Sequence, residues 1–216
     1  MPKTFDISLL PPCPNISFEL DLWDVGINFI AGIDEAGRGA WAGPVYAAAV
    51  IFPKDQNLQI SLTGIDDSKK LTPHKRDECA IRIKQAALAW NVGSASSVEI
   101  DQLGIVPATK LAMKRAVFGL SIYPQHLLID FLALPELLIP QTPLVKGDAR
   151  SISIAAASIL AKTSRDREMT EIANIYPDYG FERHKGYGTS YHKEMIDQLG
   201  PTPMHRMSFK PLLTDL

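Results

Sequence analysis

The chain has 216 residues, a formal net charge of −2 and an apolar fraction of 46%. That length suits one ordinary domain with at most a small appendage, and the apolar share is enough for a sizeable core. Near-neutrality excludes recognition of nucleic acid by the field of the whole molecule, so any such binding rests on local patches.

Cys13 and Cys79 form no pair motif and no zinc spacing, which suits a reducing, cytoplasmic compartment. The densest apolar run, Leu127 to Ile139, is short and interrupted by Asp130, Pro135 and Glu136, so no membrane span is expected. The N-terminus lacks a basic region followed by an apolar core, so no signal peptide is expected either.

Residues 1–28 carry Pro11, Pro12 and Pro14 and read as an extended arm. A buried strand follows at 29–34. A second at 44–52 is expected to pair with it as a hairpin through a glycine turn. A polar loop over 53–71 contains Asp66-Asp67-Ser68-Lys69-Lys70. Thr72 then caps a helix that opens on Pro73 and runs to about 89. Residues 90–96 read as a third strand. Ser96 with Glu99 makes a capping box for a short helix that stops at Gly104. A helix at 107–119, strands at 125–130 and 142–147, and a long helix from 151 to about 175 complete the regular part. That last helix is apolar and small-residued in the middle, which lets it lie close to a sheet. The final forty residues read as irregular with short helices, one at 192–199. The order gives an α/β domain with a mixed five-stranded sheet flanked by helices and a small C-terminal helical and irregular extension.

Three strands end in carboxylates: the first at Asp34-Glu35, the fourth at Asp130, the fifth at Lys146-Gly147-Asp148. Adjacent strands lie roughly 4.8 Å apart. Two like charges ~4 Å apart repel by about 4 kcal/mol at an effective dielectric of ~20, so such a cluster needs protons or cations. Oxygen-only ligands select Mg²⁺ or Mn²⁺ over zinc. Two such ions clamp the attacking and leaving oxygens of a phosphodiester. Consecutive strand residues point to opposite faces, so Asp34 and Glu35 share a site only if the strand has ended, as Gly37 suggests. Asp148 also lies three residues before Ser151, where it could instead cap the long helix.

Gly32-Ile33-Asp34-Glu35-Ala36-Gly37-Arg38-Gly39, Asp67-Ser68-Lys69-Lys70-Leu71, Leu128-Ile129-Asp130, Lys146-Gly147-Asp148, the run Ala155 to Lys162 with Arg165-Asp166, and His184-Lys185-Gly186-Tyr187-Gly188-Thr189 resemble the ordered motif set of ribonuclease HII, the type 2 ribonucleases H. The resemblance spans about 29 to 210. It implies a ribonuclease H-like fold, cleavage of RNA in RNA–DNA hybrid duplexes, and incision of DNA containing single ribonucleotides. It implies that Asp34, Glu35, Asp130 and Asp148 are the catalytic, metal-binding carboxylates. Gly37, Arg38 and Gly39 would read the ribose 2′-hydroxyl and its phosphate, and Tyr187 would pack on the sugar at the DNA side of the junction. Residues 29–216 would be the catalytic domain with its substrate-binding extension.

The residue types agree. The 2′-hydroxyl separates RNA from DNA, and a backbone that must approach it closely wants glycine. Tyr187 follows Arg183, His184 and Lys185, a basic and aromatic cluster suited to phosphates and flat surfaces. Lys185 is therefore a candidate substrate contact, Lys69 and Lys70 are a second candidate phosphate contact, and His205, Arg206 and Lys210 could extend the basic surface. The expected chemistry uses no protein nucleophile. Two divalent ions, Mn²⁺ or Mg²⁺, activate water and stabilise the leaving 3′ oxygen. The products would carry 5′-phosphate and 3′-hydroxyl ends. The chain departs from the family after Asp130, where Phe131-Leu132-Ala133-Leu134-Pro135 replaces the usual glycine and polar loop. The alternative is another two-metal phosphoesterase or nuclease on the same fold. A monomer is the default expectation.

Overall fold

The computed structural model describes residues 6, 8, 10–66, 68, 71–210 and 212. Strands β1 (Ile30–Ala36), β2 (Val45–Ile51), β3 (Ala89–Ala95), β4 (His126–Asp130) and β5 (Gln141–Leu144) form one sheet in the order β3-β2-β1-β4-β5. The first three strands are an antiparallel meander, while β4 and β5 add in parallel to β1. This is the mixed sheet expected from the sequence.

Helices cover both faces. The helices α2 (Leu58–Ser61), α3 (Pro73–Ala86) and α6 (Ile152–Ile175) pack on one side; α4 (Ser97–Leu103) and α5 (Ile105–Phe118) lie on the other. Local chemistry sets their ends. Thr72 accepts from the Lys75 amide with Pro73 in the first turn, and the Ser96–Glu99 capping box opens α4. Ser151 Oγ accepts from the Ile154 amide and caps α6, so Asp148 is not its cap.

Alternation along β1 divides the two cores. Ala31 and Ile33 face α5, whereas Ile30 and Ala36 face α6. The small-residue segment of α6 lies against β1 at Gly32, where an added Cβ would meet the Ser153 carbonyl carbon at 2.1 Å. Backbone offers no flexible end to move aside. Gly32→Ala is expected to cost about 3 kcal/mol, or roughly 6–12 °C in Tm. A thermal melt checks this; an unchanged Tm would mean that α6 slides freely on the sheet.

Two expectations fail here. The N-terminal segment is not simply extended, because Ser17–Asp24 forms helix α1 and buries Trp23 and Glu19. The Glu19 Oε1 accepts from Ser151 Oγ at 2.6 Å and from the Ser153 amide at 3.1 Å. The proline cluster hid a helix that starts just beyond it. The fifth strand ends at Leu144, not near Asp148. Lys146 adopts a left-handed conformation with φ 54°, and Gly147–Ala149 forms a 3₁₀ turn. Pro143 lacks an N–H, which suits β5 to the sheet edge and to being short.

A C-terminal lobe carries α7 (Phe181–His184) and α8 (Ser190–Leu199). Tyr179 and Phe181 bury themselves there against Met169, Ile172 and Ala42. The apolar segment after Asp130 is also folded. Leu134, Leu137 and Ile139 enter the α5-side core, and the Gln141 side chain bonds the Leu134 amide at 2.7 Å and carbonyl at 2.9 Å.

Candidate active site

The parallel pairing of β1 with β4 runs through Ile33–Ile129, so Asp34 and Asp130 are the next residues at the same end of adjacent strands. The Gly147 amide donates to Asp130 Oδ1 at 2.7 Å, which draws the turn holding Asp148 towards the third carboxylate. Asp34 and Asp148 are buried. The Asp34 carboxyl is pushed well above the usual carboxylate range, first by burial and then by the charges on Glu35, Asp130 and Asp148. The charges of Glu35, Asp130 and Asp148 thus all reach Asp34.

Their route there differs from the expectation in one respect. β1 does not end at Asp34 but pairs with β2 through Ala36, so Glu35 leaves from the opposite face. The Arg38 guanidinium holds Glu35 at 3.1 Å, and the Glu35 amide donates to Asp34 Oδ1 at 2.7 Å. Among the described residues no three His, Cys, Asp or Glu side chains converge into a ready-made cage. The donor set nevertheless fits a hard divalent cation. It is oxygen-only, and its crowded negative charge disfavours ionisation of Asp34 until something positive offsets it.

Beside the carboxylates lies a cleft of about 420 Å³ lined by Glu35, Ala36, Gly37, Arg38, Gly39, Ser68, Lys162 and Tyr187. The structure thus joins the predicted glycine–arginine loop to the predicted tyrosine. The guanidinium of Arg165 and the ammonium of Lys162 sit 5.2 and 5.3 Å from the Tyr187 ring centre.

The ribonuclease HII family model matches residues 31–212. Ribonuclease HII of Desulfitobacterium hafniense strain Y51 is 54% identical over 198 residues, covering 92% of this chain and 75% of that protein. The Geobacillus kaustophilus ribonuclease HII is 53% identical over 195 residues, covering 90% and 73%. The chain belongs to the ribonuclease HII family. It is accordingly a metal-dependent endonuclease of the ribonuclease H type, a class acting on RNA–DNA hybrids. Among solved structures, the ribonuclease HII in a PCNA complex from Archaeoglobus fulgidus superposes with a TM-score of 0.71 at 27% identity, covering 87% of this chain and 98% of that one. The ribonuclease H2 of Pyrococcus horikoshii OT3 gives 0.73 at 24% identity, covering 85% and 95%, and supports the fold.

Other family-motif residues fall elsewhere. Lys185 is not brought to the cleft. Its ammonium donates to Thr170 Oγ1 at 2.7 Å and to the Glu182 carbonyl at 2.8 Å, in a separate groove beside α6. Lys69 and Lys70 lie outside the described residues. The basic surface expected from His205 and Arg206 is absent, because both are buried. Lys162 and Ser68 are polar cleft residues that sequence reasoning passed over, although their motif runs were in view. Phe131 takes φ 60°, a left-handed conformation that glycine adopts more readily, and it remains largely exposed beside Asp130.

Behind Tyr187, two histidines form a hydrogen-bonded chain of neutral rings and a third stacks on it. His192 Nδ1–H donates to the Tyr187 carbonyl at 3.0 Å. Its Nε2 then accepts from His205 Nε2–H at 3.0 Å, and His205 Nδ1 accepts from the Thr202 amide at 2.8 Å. His184 stacks on His192 at 4.4 Å. Burial pushes both His192 and His205 down to about 4. The unfolded chain binds protons near pH ~6.5. The stability these rings contribute is thus complete above that pH and lost as pH falls towards 4. The loss is expected to reach roughly 3 kcal/mol for the first ring protonated. Denaturant unfolding of wild type and His205→Gln at pH 7 and 4.5 checks it, since the variant, which keeps only His192 of the pair, should lose less stability between the two pH values than the wild type.

Proposed function

We propose that this protein hydrolyses the RNA strand of RNA–DNA hybrids and incises DNA on the 5′ side of embedded ribonucleotides. The observation that carries the reading is the adjacency of the carboxylate cluster to a cleft walled by Gly37–Gly39 and Tyr187. Asp34, Glu35, Asp130 and Asp148 would hold one or two divalent ions, Mn²⁺ or Mg²⁺. Such ions supply water activation and stabilisation of the leaving oxygen. The protein's own part is positional. Arg38 and Lys162 offer positive charge to the phosphate that approaches the acidic cluster. The backbone at Gly37–Gly39 meets the 2′-hydroxyl, which DNA lacks. Tyr187 presents its ring to the neighbouring deoxyribose. Water attacks phosphorus in line and the 3′ oxygen departs, leaving 5′-phosphate and 3′-hydroxyl ends.

Residues 29–216 form the catalytic domain in this reading, acting as a monomer. The free thiols of Cys13 and Cys79 accord with a cytoplasmic location. Among the described residues no helix is long and apolar enough to cross a membrane.

Three labelled duplexes test the function: a continuous RNA–DNA hybrid, DNA with one ribonucleotide, and all-DNA, each with divalent metal or chelator. Metal-dependent cutting of the first two, with the third intact, is expected. Cutting of all-DNA would overturn it. Tyr187→Ala is expected to slow cleavage at the single ribonucleotide by roughly tenfold, the value of one lost stacking contact of about 1–3 kcal/mol. Initial rates on the first two duplexes check this; an unchanged rate at the isolated ribonucleotide would remove Tyr187 from the junction.

A further inference from the structure

Two arginines in the interior are used in an unusual way. Arg165, on α6, and Arg206, in the C-terminal lobe, are both fully buried. Among the described residues neither lies within ion-pair distance of a carboxylate. Burying a charge without a counter-charge is costly unless every donor finds an acceptor. Each guanidinium donates three hydrogen bonds to backbone carbonyls, all but one of them in the β1–β2 connection. Arg206 donates to Gly37 at 2.7 Å, Arg38 at 2.9 Å and Gly43 at 2.9 Å. Arg165 donates to Ala42 at 3.1 Å and Pro44 at 3.0 Å, and to Lys185 beside Tyr187 at 2.9 Å. Six carbonyls are thereby drawn inward, five of them between positions 37 and 44.

A trans peptide unit is planar, with its C=O and N–H pointing opposite ways. Pulling the Gly37 and Arg38 carbonyls inward therefore turns the Arg38 and Gly39 amides outward. Gly39 is exposed and lines the cleft. Among the described residues, neither of these amides donates to another backbone or side-chain group. We propose that Arg165 and Arg206 are positioning residues for substrate selection, holding the glycine–arginine loop with two amides aimed at the ribose 2′-hydroxyl and its phosphate. This rests on the function proposed above and assigns the means of its selectivity to residues that touch no substrate.

The test uses the full chain. Arg206→Lys keeps the charge, but a single ammonium cannot span three carbonyls. On the single-ribonucleotide duplex its KM is expected to rise about tenfold. The inhibition constant of an all-DNA duplex used as competitor should change less than about twofold. An unchanged KM, or an equal rise in both constants, would overturn the assignment, since a merely structural lesion weakens both duplexes alike. A wild type that fails to cut the single-ribonucleotide duplex would instead sink the functional reading itself. Should Arg206→Lys not fold, amide exchange in the wild type decides. The Arg38 and Gly39 amides should exchange fast while those of Trp41 and Gly43, which are bonded within the protein, exchange slowly. The single-ribonucleotide duplex should protect the first two amides, and all-DNA should not. Protection before any duplex is added would overturn the proposal.

Discussion

Asparagine at position 34 is expected to remove cleavage and leave the fold as stable as before, or more so. Asp34 is buried and feels three neighbouring carboxylates, which hold its own carboxyl towards the neutral form. The amide has the same shape without the charge, so the substitution relieves repulsion in the metal-free protein. It also removes the most buried oxygen donor from the proposed cation site. Loss of one preorganised charge-stabilising group costs about 10²–10³ in rate, and the loss here should be at least that. Rates on a single-ribonucleotide duplex, paired with a thermal melt, check both halves. An unfolded variant would make Asp34 structural, and activity within tenfold of wild type would remove it from the chemistry.

Alanine at position 37 is expected to damage both stability and selectivity. Gly37 has φ 95°, a conformation that costs any L-residue energy. Its added Cβ would lie 2.0 Å from Arg165 Nε. That guanidinium cannot step aside cheaply, because three carbonyls hold it in the interior. Strain and overpacking together should cost about 3 kcal/mol, or roughly 6–12 °C in Tm. The fraction that folds should cut the single-ribonucleotide duplex at least ~10-fold more slowly, since the loop proposed to meet the ribose is displaced. A normal Tm and a normal rate would show that the loop is not held as described.

Much of this site was legible in the residue pattern because strand ends announce themselves. An apolar run closing on Asp34, and another closing on Asp130, place two carboxylates on neighbouring strands whenever those strands pair. Asp148 joins them by a route that the residue pattern does not show. The chain reaches it through a left-handed Lys146 and a 3₁₀ turn, not along a strand, and only the Gly147–Asp130 hydrogen bond draws that turn in. The basic residues misled more often. In a sequence, Lys185 and Arg206 look alike: charged, near an aromatic, apt for phosphate. Three-dimensional context sends one to Thr170 and buries the other among carbonyls. No local pattern marks a charge as interior when its partners are backbone atoms distant in sequence. The histidines illustrate the same limit, since burial and tautomer chains arise only once α8 and the C-terminal turns meet.

The central claim is that the carboxylates at the ends of β1 and β4 and in the turn after β5 form a divalent-cation site. Calorimetric titration of Mn²⁺ into the wild type and Asp34→Asn, without nucleic acid, tests it most directly. The expected result is saturable binding to the wild type, weakened about 10-fold or more by the substitution. Equal binding to both proteins, or none to the wild type even at millimolar Mn²⁺, would contradict the site described above.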